Sequence, residues 1–138
     1  MQKRADRIFV YGTLRQGFPL HRHIRRMAIR YVSKGKINGR LYDLGEFPGV
    51  VPSSSPADVI TGEVYELTNP KRQLAELDRL EEFDPEREDA SLFVRRRTLV
   101  RLRNGQRLRA WVYLMPRKSS KYRLIPGGDY AESHRRRS

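Results

Sequence analysis

The chain contains no cysteine, which excludes a disulfide framework, a zinc–cysteine site and a catalytic thiol. Long apolar runs are also missing, since no stretch approaches the roughly 18 residues of a membrane-spanning helix. No apolar segment follows the polar residues 1–7, so we expect no signal peptide. These absences predict a protein that does not span a membrane and that works in the cytoplasm.

Acidic residues are scarce relative to basic ones: 16 Asp and Glu stand against 29 Lys and Arg, for a net charge of +13. Such a charge attracts anions and favours contact with nucleic acid. A high arginine content is also found in GC-rich or heat-adapted proteomes, which explains the charge without a nucleic-acid partner. The sequence contains no RNA-recognition, KH, helix-turn-helix or zinc-finger signature. Nucleic-acid binding therefore stays an alternative rather than the main prediction.

The length of 138 residues predicts one domain that buries a core of its own. We expect this core to span about residues 7–126. The basic segments 1–6 and 130–138 are predicted to be flexible tails.

Strands dominate the predicted elements. Asn104-Gly105 is a strong hairpin signal, and Asn69 followed by Pro70 predicts the start of a helix. A small antiparallel sheet, closed or half closed with a helix beside it, fits this order because a small sheet must protect its edges. The predicted strands are 7–11, 36–44, 58–67, 93–102 and 107–115, the predicted helices are 19–28 and 71–82, and the predicted loops include 45–49 and 51–57.

The helix 71–82 carries one acidic residue on its apolar side. With about 100° per residue, Glu81 lies roughly 40° from the centre of the leucine stripe, whereas Asp78 and Glu82 lie round to the side. Burial raises the pKa of a carboxyl toward neutrality, where a general acid/base is most effective. The alternative is a structural ion pair between Glu81 and an arginine of the cluster 95–97, and the helix geometry leaves both interpretations open.

Five segments occur in an order and spacing that resemble the γ-glutamylcyclotransferase-like family, which includes γ-glutamylamine cyclotransferases, a butirosin-biosynthesis enzyme and plant avirulence-induced proteins. The resemblance covers about residues 7–126. It rests on the segments 10–17 (VYGTLRQG), 39–49 (GRLYDLGEFPG), 77–85 (LDRLEEFDP), 91–96 (SLFVRR) and 110–114 (AWVYL).

The resemblance implies an α+β fold, a small mixed and mostly antiparallel β-barrel with flanking helices and one cavity. In active members, the α-amine of a γ-glutamyl compound attacks its own γ-amide and releases 5-oxoproline and an amine or amino acid. This chemistry needs no metal or cofactor, and the implied partner is a small γ-glutamyl substrate. A catalytically silent member that binds such a metabolite is a further alternative.

Site residues follow from the same motifs. Glu81 matches the acid/base carboxylate of the family. The loop of Tyr11, Gly12, Thr13 and Leu14 matches the segment whose backbone N–H groups hold the substrate's α-carboxylate, and Tyr113 and Tyr122 match pocket tyrosines.

Four other residues are candidates for the site. Arg15 follows the loop and is a candidate for an anionic ligand, while Arg95 is a candidate for contact with substrate or for an ion pair with Glu81 or Asp78. Tyr42 lines the cavity mouth or belongs to the core. Phe93 stands where many members have Tyr and lacks the hydroxyl group.

The remaining motifs favour structural roles. Glu82 replaces the glycine that usually follows the catalytic Glu, and we expect it to be tolerated on the opposite side of the helix. The pair His21 and His23 lacks the further ligands of a metal site. Gly127-Gly128 is predicted to be a turn with no helix after it, and the Ser53–Ser55 run lacks a nucleophile elbow.

Overall fold

The computed structural model describes residues 6–27, 29–116 and 121–137. The strands are β1 (Arg7–Val10), β2 (Arg30–Asp43), β3 (Pro48–Pro52), β4 (Val59–Glu66), β5 (Val94–Leu102), β6 (Arg107–Leu114) and β7 (Arg123–Leu124). Five of them form a closed barrel in the order β2-β4-β1-β6-β5, with β5 pairing back onto β2. Only β1 and β6 pair in parallel within the barrel, so the predicted mixed, mostly antiparallel barrel is confirmed.

Two strands differ from the prediction by more than one residue. Strand β2 begins at Arg30, six residues before the predicted start, because Arg30 pairs with Glu66 of β4 across an irregularity near Tyr31 and Ser33. Strand β3 (Pro48–Pro52) occupies a segment predicted as loop. Its prolines are compatible with a strand because β3 lies at the edge of the sheet.

Helix α2 (Pro70–Leu80) packs against the outside of the sheet. Its Leu74 and Leu77 are buried in one cluster with Ile8 of β1. Asn69 is the N-cap residue, as predicted, but the first turn is held by Gln73, whose Oε1 accepts the Asn69 N–H at 2.9 Å. The Gln73 amide also donates to the Met27 carbonyl oxygen at 2.8 Å, which ties α2 to the segment before β2.

Helix α1 (His21–Arg26) is shorter than predicted, and a short 3-10 helix covers Glu88–Ala90. Helix α3 (Tyr130–Arg137) follows Gly127-Gly128, so the prediction that no helix follows this pair is wrong. The backbone of Asp129 accepts the Ser133 N–H at 3.0 Å and its carboxylate accepts the Glu132 N–H at 3.3 Å, which satisfies the first turn of α3. None of the helices in the described ranges has the length and apolar character needed to cross a bilayer.

Candidate active site

A cavity of about 590 Å³ opens between the end of β1, the end of α2 and strand β6. The loop that follows β1 forms one wall, and Glu81 at the end of α2 forms another. The structure thus brings seven residues singled out by the sequence to one cavity: Tyr11, Gly12, Thr13, Leu14, Glu81, Phe93 and Tyr113.

The loop Tyr11–Leu14 presents backbone donors at the cavity. The N–H groups of Gly12, Thr13 and Leu14 form no hydrogen bond with any residue in the described ranges. Consecutive free N–H groups of this kind form a concave anion-binding surface without a cationic side chain. Gly12 is required sterically, because a Cβ there would lie 2.7 Å from the Pro48 Cγ.

The loop is held from behind by His21. Its Nδ1 atom lies 2.9 Å from the Leu14 carbonyl oxygen, and because a carbonyl oxygen only accepts, the imidazole donates this hydrogen bond. The turn is closed by the Arg15 N–H, which donates to the Gly12 carbonyl oxygen at 3.0 Å. His21 therefore positions the loop at the start of α1.

Glu81 is a half-buried carboxyl that faces the cavity. Its backbone N–H still donates to Leu77 at 2.9 Å, which keeps the helical phase for one residue beyond α2. Among residues 6–27, 29–116 and 121–137, no cation forms an ion pair with its side chain. Burial raises the pKa of this carboxyl from its ordinary value of 4.5 to about 7.

The arginine that was an alternative partner for Glu81 binds Asp78 instead. Arg95 donates to the Asp78 Oδ1 from Nε at 2.8 Å and to Oδ2 from Nη2 at 3.2 Å. Tyr113 also donates its hydroxyl to Asp78 at 2.6 Å. Asp78 was expected at the side of the helix, but it is only 7% exposed, because these paired donors compensate its burial.

The hydroxyl groups of both cavity tyrosines serve internal contacts. Tyr11 donates to the Tyr113 carbonyl oxygen at 2.6 Å, which fastens the end of β1 to β6. Burial, followed by the nearby charge of Glu81, raises the Tyr11 pKa above its usual value. Burial, then the Asp78 hydrogen bond, does the same for the Tyr113 pKa. Both phenols therefore stay protonated, and the two rings form a fixed wall.

Glu82 differs from its expected position. The helix ends at Leu80, so the helical-wheel angle does not apply to residue 82, and Glu82 lies exposed on the rim of the same cavity. Its φ of 53° is left-handed, and the Glu82 and Phe83 N–H groups donate to Arg79 and Asp78 at 3.2 and 2.8 Å. This pair of bonds is a Schellman motif, whose left-handed position favours glycine.

Arg15 does not line the cavity. It is 5% exposed and forms ion pairs with Glu63 at 3.4 Å and with Asp129 at 3.0 Å. Burial opposes ionisation of Asp129, but the Arg15 hydrogen bond outweighs it with the help of backbone donors, so the pKa of Asp129 lies below its usual value. Arg15 links the loop to the start of α3.

Three other candidates lie outside the cavity wall. Tyr42 is buried in β2, opposite Gly49 of β3 and Leu124 of β7. Tyr122 is partly buried against the cluster that contains Leu77, and the Lys121 ammonium lies 5.9 Å from its ring centroid. Arg95 is likewise absent from the cavity lining because Asp78 holds it.

Sequence reasoning missed an aromatic wall. Phe18 stacks on Tyr130 with ring centroids 5.4 Å apart, and His134 packs against Phe18 at 5.2 Å. Phe47 packs on Phe93 at 5.8 Å. The spacing of Tyr130 and His134 by four residues, one helical turn, was the available signal, but it lay in the segment assigned to a tail.

The charge of the cavity is opposite in sign to that of the whole chain. Three carboxylates line it, those of Glu46, Glu81 and Glu82, and no Lys or Arg does so within the part of the chain that the structure describes. The net charge of the chain is +13. The cavity is therefore an acidic site on a basic protein.

Comparison with known proteins identifies the family. Residues 8–132 match the family model described as γ-glutamyl cyclotransferase, AIG2-like. The γ-glutamylcyclotransferase family protein YtfP of Escherichia coli is 34% identical over 128 residues, covering 91% of this chain and 96% of that protein. A γ-L-glutamyl-butirosin B γ-glutamyl cyclotransferase of Niallia circulans is 32% identical over 111 residues, covering 80% of this chain and 67% of that enzyme.

Solved structures agree on the fold. An AIG2-like protein from Mus musculus superposes with a TM-score of 0.76 at 22% identity, covering 93% of this chain and 89% of that one. The family model spans nearly the whole barrel together with the loop after β1 and the end of α2. The chain therefore belongs to the γ-glutamyl cyclotransferase, AIG2-like family.

Proposed function

We propose that the chain is a γ-glutamyl cyclotransferase in which Glu81 is the general acid/base. The substrate is a γ-glutamyl amide, and the products are 5-oxoproline and the released amine or amino acid. The observation that carries the proposal is the Glu81 carboxyl, which faces the cavity without a cationic partner in the described part of the chain and has a pKa raised to about 7. Membership of the family supports the same reaction class.

The loop after β1 binds the substrate's α-carboxylate in this proposal. The free N–H groups of Gly12, Thr13 and Leu14 donate to that carboxylate, and the turn closed by the Arg15 N–H holds the loop in place. Because the cavity is lined by no described Lys or Arg, the backbone donors of the loop and the Thr13 hydroxyl are the groups available to an anion beside it. Substrate bound in this way places its α-ammonium between the loop and Glu81.

Glu81 then accepts and donates protons in turn. Its carboxylate accepts a proton from the α-ammonium, which makes the amine nucleophilic. The amine nitrogen attacks the γ-carbonyl carbon, a new C–N bond closes the five-membered ring, and the original amide C–N bond breaks. The attack leaves two hydrogens on the ring nitrogen. Protonated Glu81 gives its proton to the departing nitrogen, and as the amide bond breaks the ring nitrogen loses its second hydrogen as a proton, which Glu81 passes to the released amine. The products are therefore the neutral lactam and an ammonium ion, so no water, metal or redox partner enters the balance.

A carboxyl with a pKa near 7 suits both steps. Near neutral pH the protonated and ionised forms are both populated, so the group can accept and donate within one turnover. The fixed wall of Tyr11 and Tyr113 and the ring of Phe93 confine the substrate, and confinement of a reaction within one molecule supplies much of the rate.

The test uses Glu81→Gln, with Glu76→Gln as the matched control on the outer side of α2, where Glu76 pairs with Arg26 at 2.7 Å. The assay measures 5-oxoproline release from a panel of γ-glutamyl amides. We expect Glu81→Gln to lower kcat at least about a hundredfold while substrate binding, measured calorimetrically, changes little. Glu76→Gln should retain wild-type activity.

Two results would contradict the proposal. If Glu81→Gln keeps more than a tenth of the wild-type kcat, Glu81 is not the acid/base. If the wild-type chain binds γ-glutamyl amides but releases no 5-oxoproline from any of them, the chain is a binding protein for such metabolites.

A further inference from the structure

A second recess lies on the wall of the barrel and shares no lining residue with the candidate active site. Its volume is about 360 Å³, and it sits where β1 and β6 pair at a single position, Ile8 opposite Trp111. The polar residues that line it are Asp6 just before β1, Arg7 in β1, Arg97 on β5, and Arg107, Arg109 and Trp111 on β6.

The recess gathers positive charge that the described residues do not neutralise. Four arginines line it against one carboxylate, Asp6, which lies 3.6 Å from the Arg97 guanidinium. Arg107 and Arg109 form no ion pair within the described ranges. Like charges held around one recess repel one another, and a bound anion removes this repulsion.

Donor groups in its wall also lack acceptors. The Arg7 Nε and the Trp111 Nε1 are buried, with no hydrogen-bond partner among the described residues. Buried N–H groups are nearly always paired in folded proteins. Both atoms are covered by neighbouring atoms, so they add unsatisfied positive potential beneath the wall rather than direct contacts to a ligand. They are an observation independent of the count of charges.

The Trp111 ring already contacts two arginine side chains. The Arg95 and Arg97 guanidinium carbons lie over it, 4.6 and 4.4 Å from the ring centroid. Non-specific recognition of single-stranded nucleic acid uses open aromatic faces on which bases stack. This recess offers guanidinium groups rather than a free ring, so its chemistry is selective for phosphoryl oxygens and not for bases.

We propose that the recess binds a compact polyphosphate, inorganic or carried by a nucleotide, at a site separate from the catalytic cavity. Guanidinium forks bind phosphoryl oxygens in a bidentate manner, and several converging forks select ligands with adjacent phosphoryl groups over a single phosphate. The recess is a pocket of limited volume and not an extended track, which favours a compact anion over a long nucleic acid.

The single tryptophan of the chain makes the test direct, since Trp111 lies in the wall of the recess. Inorganic triphosphate is titrated into the full chain at about 50 mM salt, and Trp fluorescence and calorimetry follow binding. We expect a saturable change with 1:1 stoichiometry and weaker binding of orthophosphate. Comparing inorganic triphosphate with a nucleoside triphosphate shows whether the ligand is the polyphosphate alone or a nucleotide.

Two double variants separate a site from a diffuse field. Arg107→Gln with Arg109→Gln removes two charges from the recess, whereas Arg22→Gln with Arg25→Gln removes two from exposed positions of α1, outside the recess. We expect the first to weaken triphosphate binding about tenfold or more and the second less than about twofold. Equal weakening by both would overturn the proposal, as would the absence of saturable binding. Duplex DNA that binds more tightly with increasing length and displaces triphosphate would replace it with an extended nucleic-acid face.

Discussion

Glu82 is a non-glycine residue in the left-handed position that ends α2, with φ of 53°. An L-residue in this conformation is less stable than glycine by about 1–2 kcal/mol. Glycine gains more entropy in the unfolded chain, which offsets about 0.5–1 kcal/mol. We therefore expect Glu82→Gly to raise the free energy of unfolding by about 0.5–1 kcal/mol, which corresponds to a rise in Tm of about 2–4 °C for a domain of this size.

The carboxylate of Glu82 is a separate effect, because a negative charge at a helix C-terminus is unfavourable. Glu82→Ala isolates it, since alanine removes the charge but keeps the Cβ that makes the left-handed conformation costly. Urea unfolding of the three proteins at pH 7 measures both contributions. A gain for Glu82→Ala as large as that for Glu82→Gly would refute the backbone argument, and a loss of stability in Glu82→Gly would do so more strongly.

Three further predictions concern charges near the cavity. Arg95→Met leaves the buried Asp78 carboxylate without its guanidinium partner and should lower the free energy of unfolding by about 3 kcal/mol. Urea titration measures this change, and a loss under about 1 kcal/mol would contradict a stabilising role of the ion pair. Between pH 4.5 and about 7 the folded chain holds a Glu81 proton that the unfolded chain has lost. The free energy of unfolding of the wild type should therefore fall by roughly 1–3 kcal/mol relative to Glu81→Gln as pH rises through this window. A constant difference between the two proteins would contradict the raised pKa. Glu46 and Glu82 line the rim of the cavity, and their carboxylates attract cations. We therefore expect γ-glutamyl amides with a cationic leaving amine, such as a polyamine or a lysine side chain, to show higher kcat/KM than those whose leaving group carries a carboxylate. Equal values would contradict electrostatic selection at the rim.

Local signals in the sequence predicted the elements that depend on local physics. Asn104-Gly105 gave the hairpin of β5 and β6, and Asn69-Pro70 gave the start of α2, because turn and cap preferences act within a few residues. The phase of α2 also brought Glu81 to the cavity, since its N–H remains bonded to Leu77 beyond the last helical residue.

Long-range partners could not be predicted in the same way. An ion pair of Arg95 with Asp78 was one of the alternatives that the sequence left open, but the burial of Asp78 was not expected. This burial depends on donors that Arg95 and Tyr113 bring from β5 and β6, and nothing within α2 indicates those contacts. Helix α3 has a mean composition typical of a solvated tail, yet Asp129 caps it and Arg15 fixes Asp129 from over a hundred residues away. Both errors arise because a polar pattern does not show which polar groups are paired in the fold.

The proposed reaction depends on a Glu81 carboxyl that ionises near neutral pH. Carbon-13 NMR of the side-chain carboxyl groups, with glutamate labelled, follows this ionisation directly and needs no substrate. Glu81→Gln assigns the resonance by its disappearance. We expect the Glu81 carboxyl to titrate with a pKa of about 7. A Glu81 resonance that titrates below about pH 5, as for an exposed or ion-paired glutamate, would contradict it.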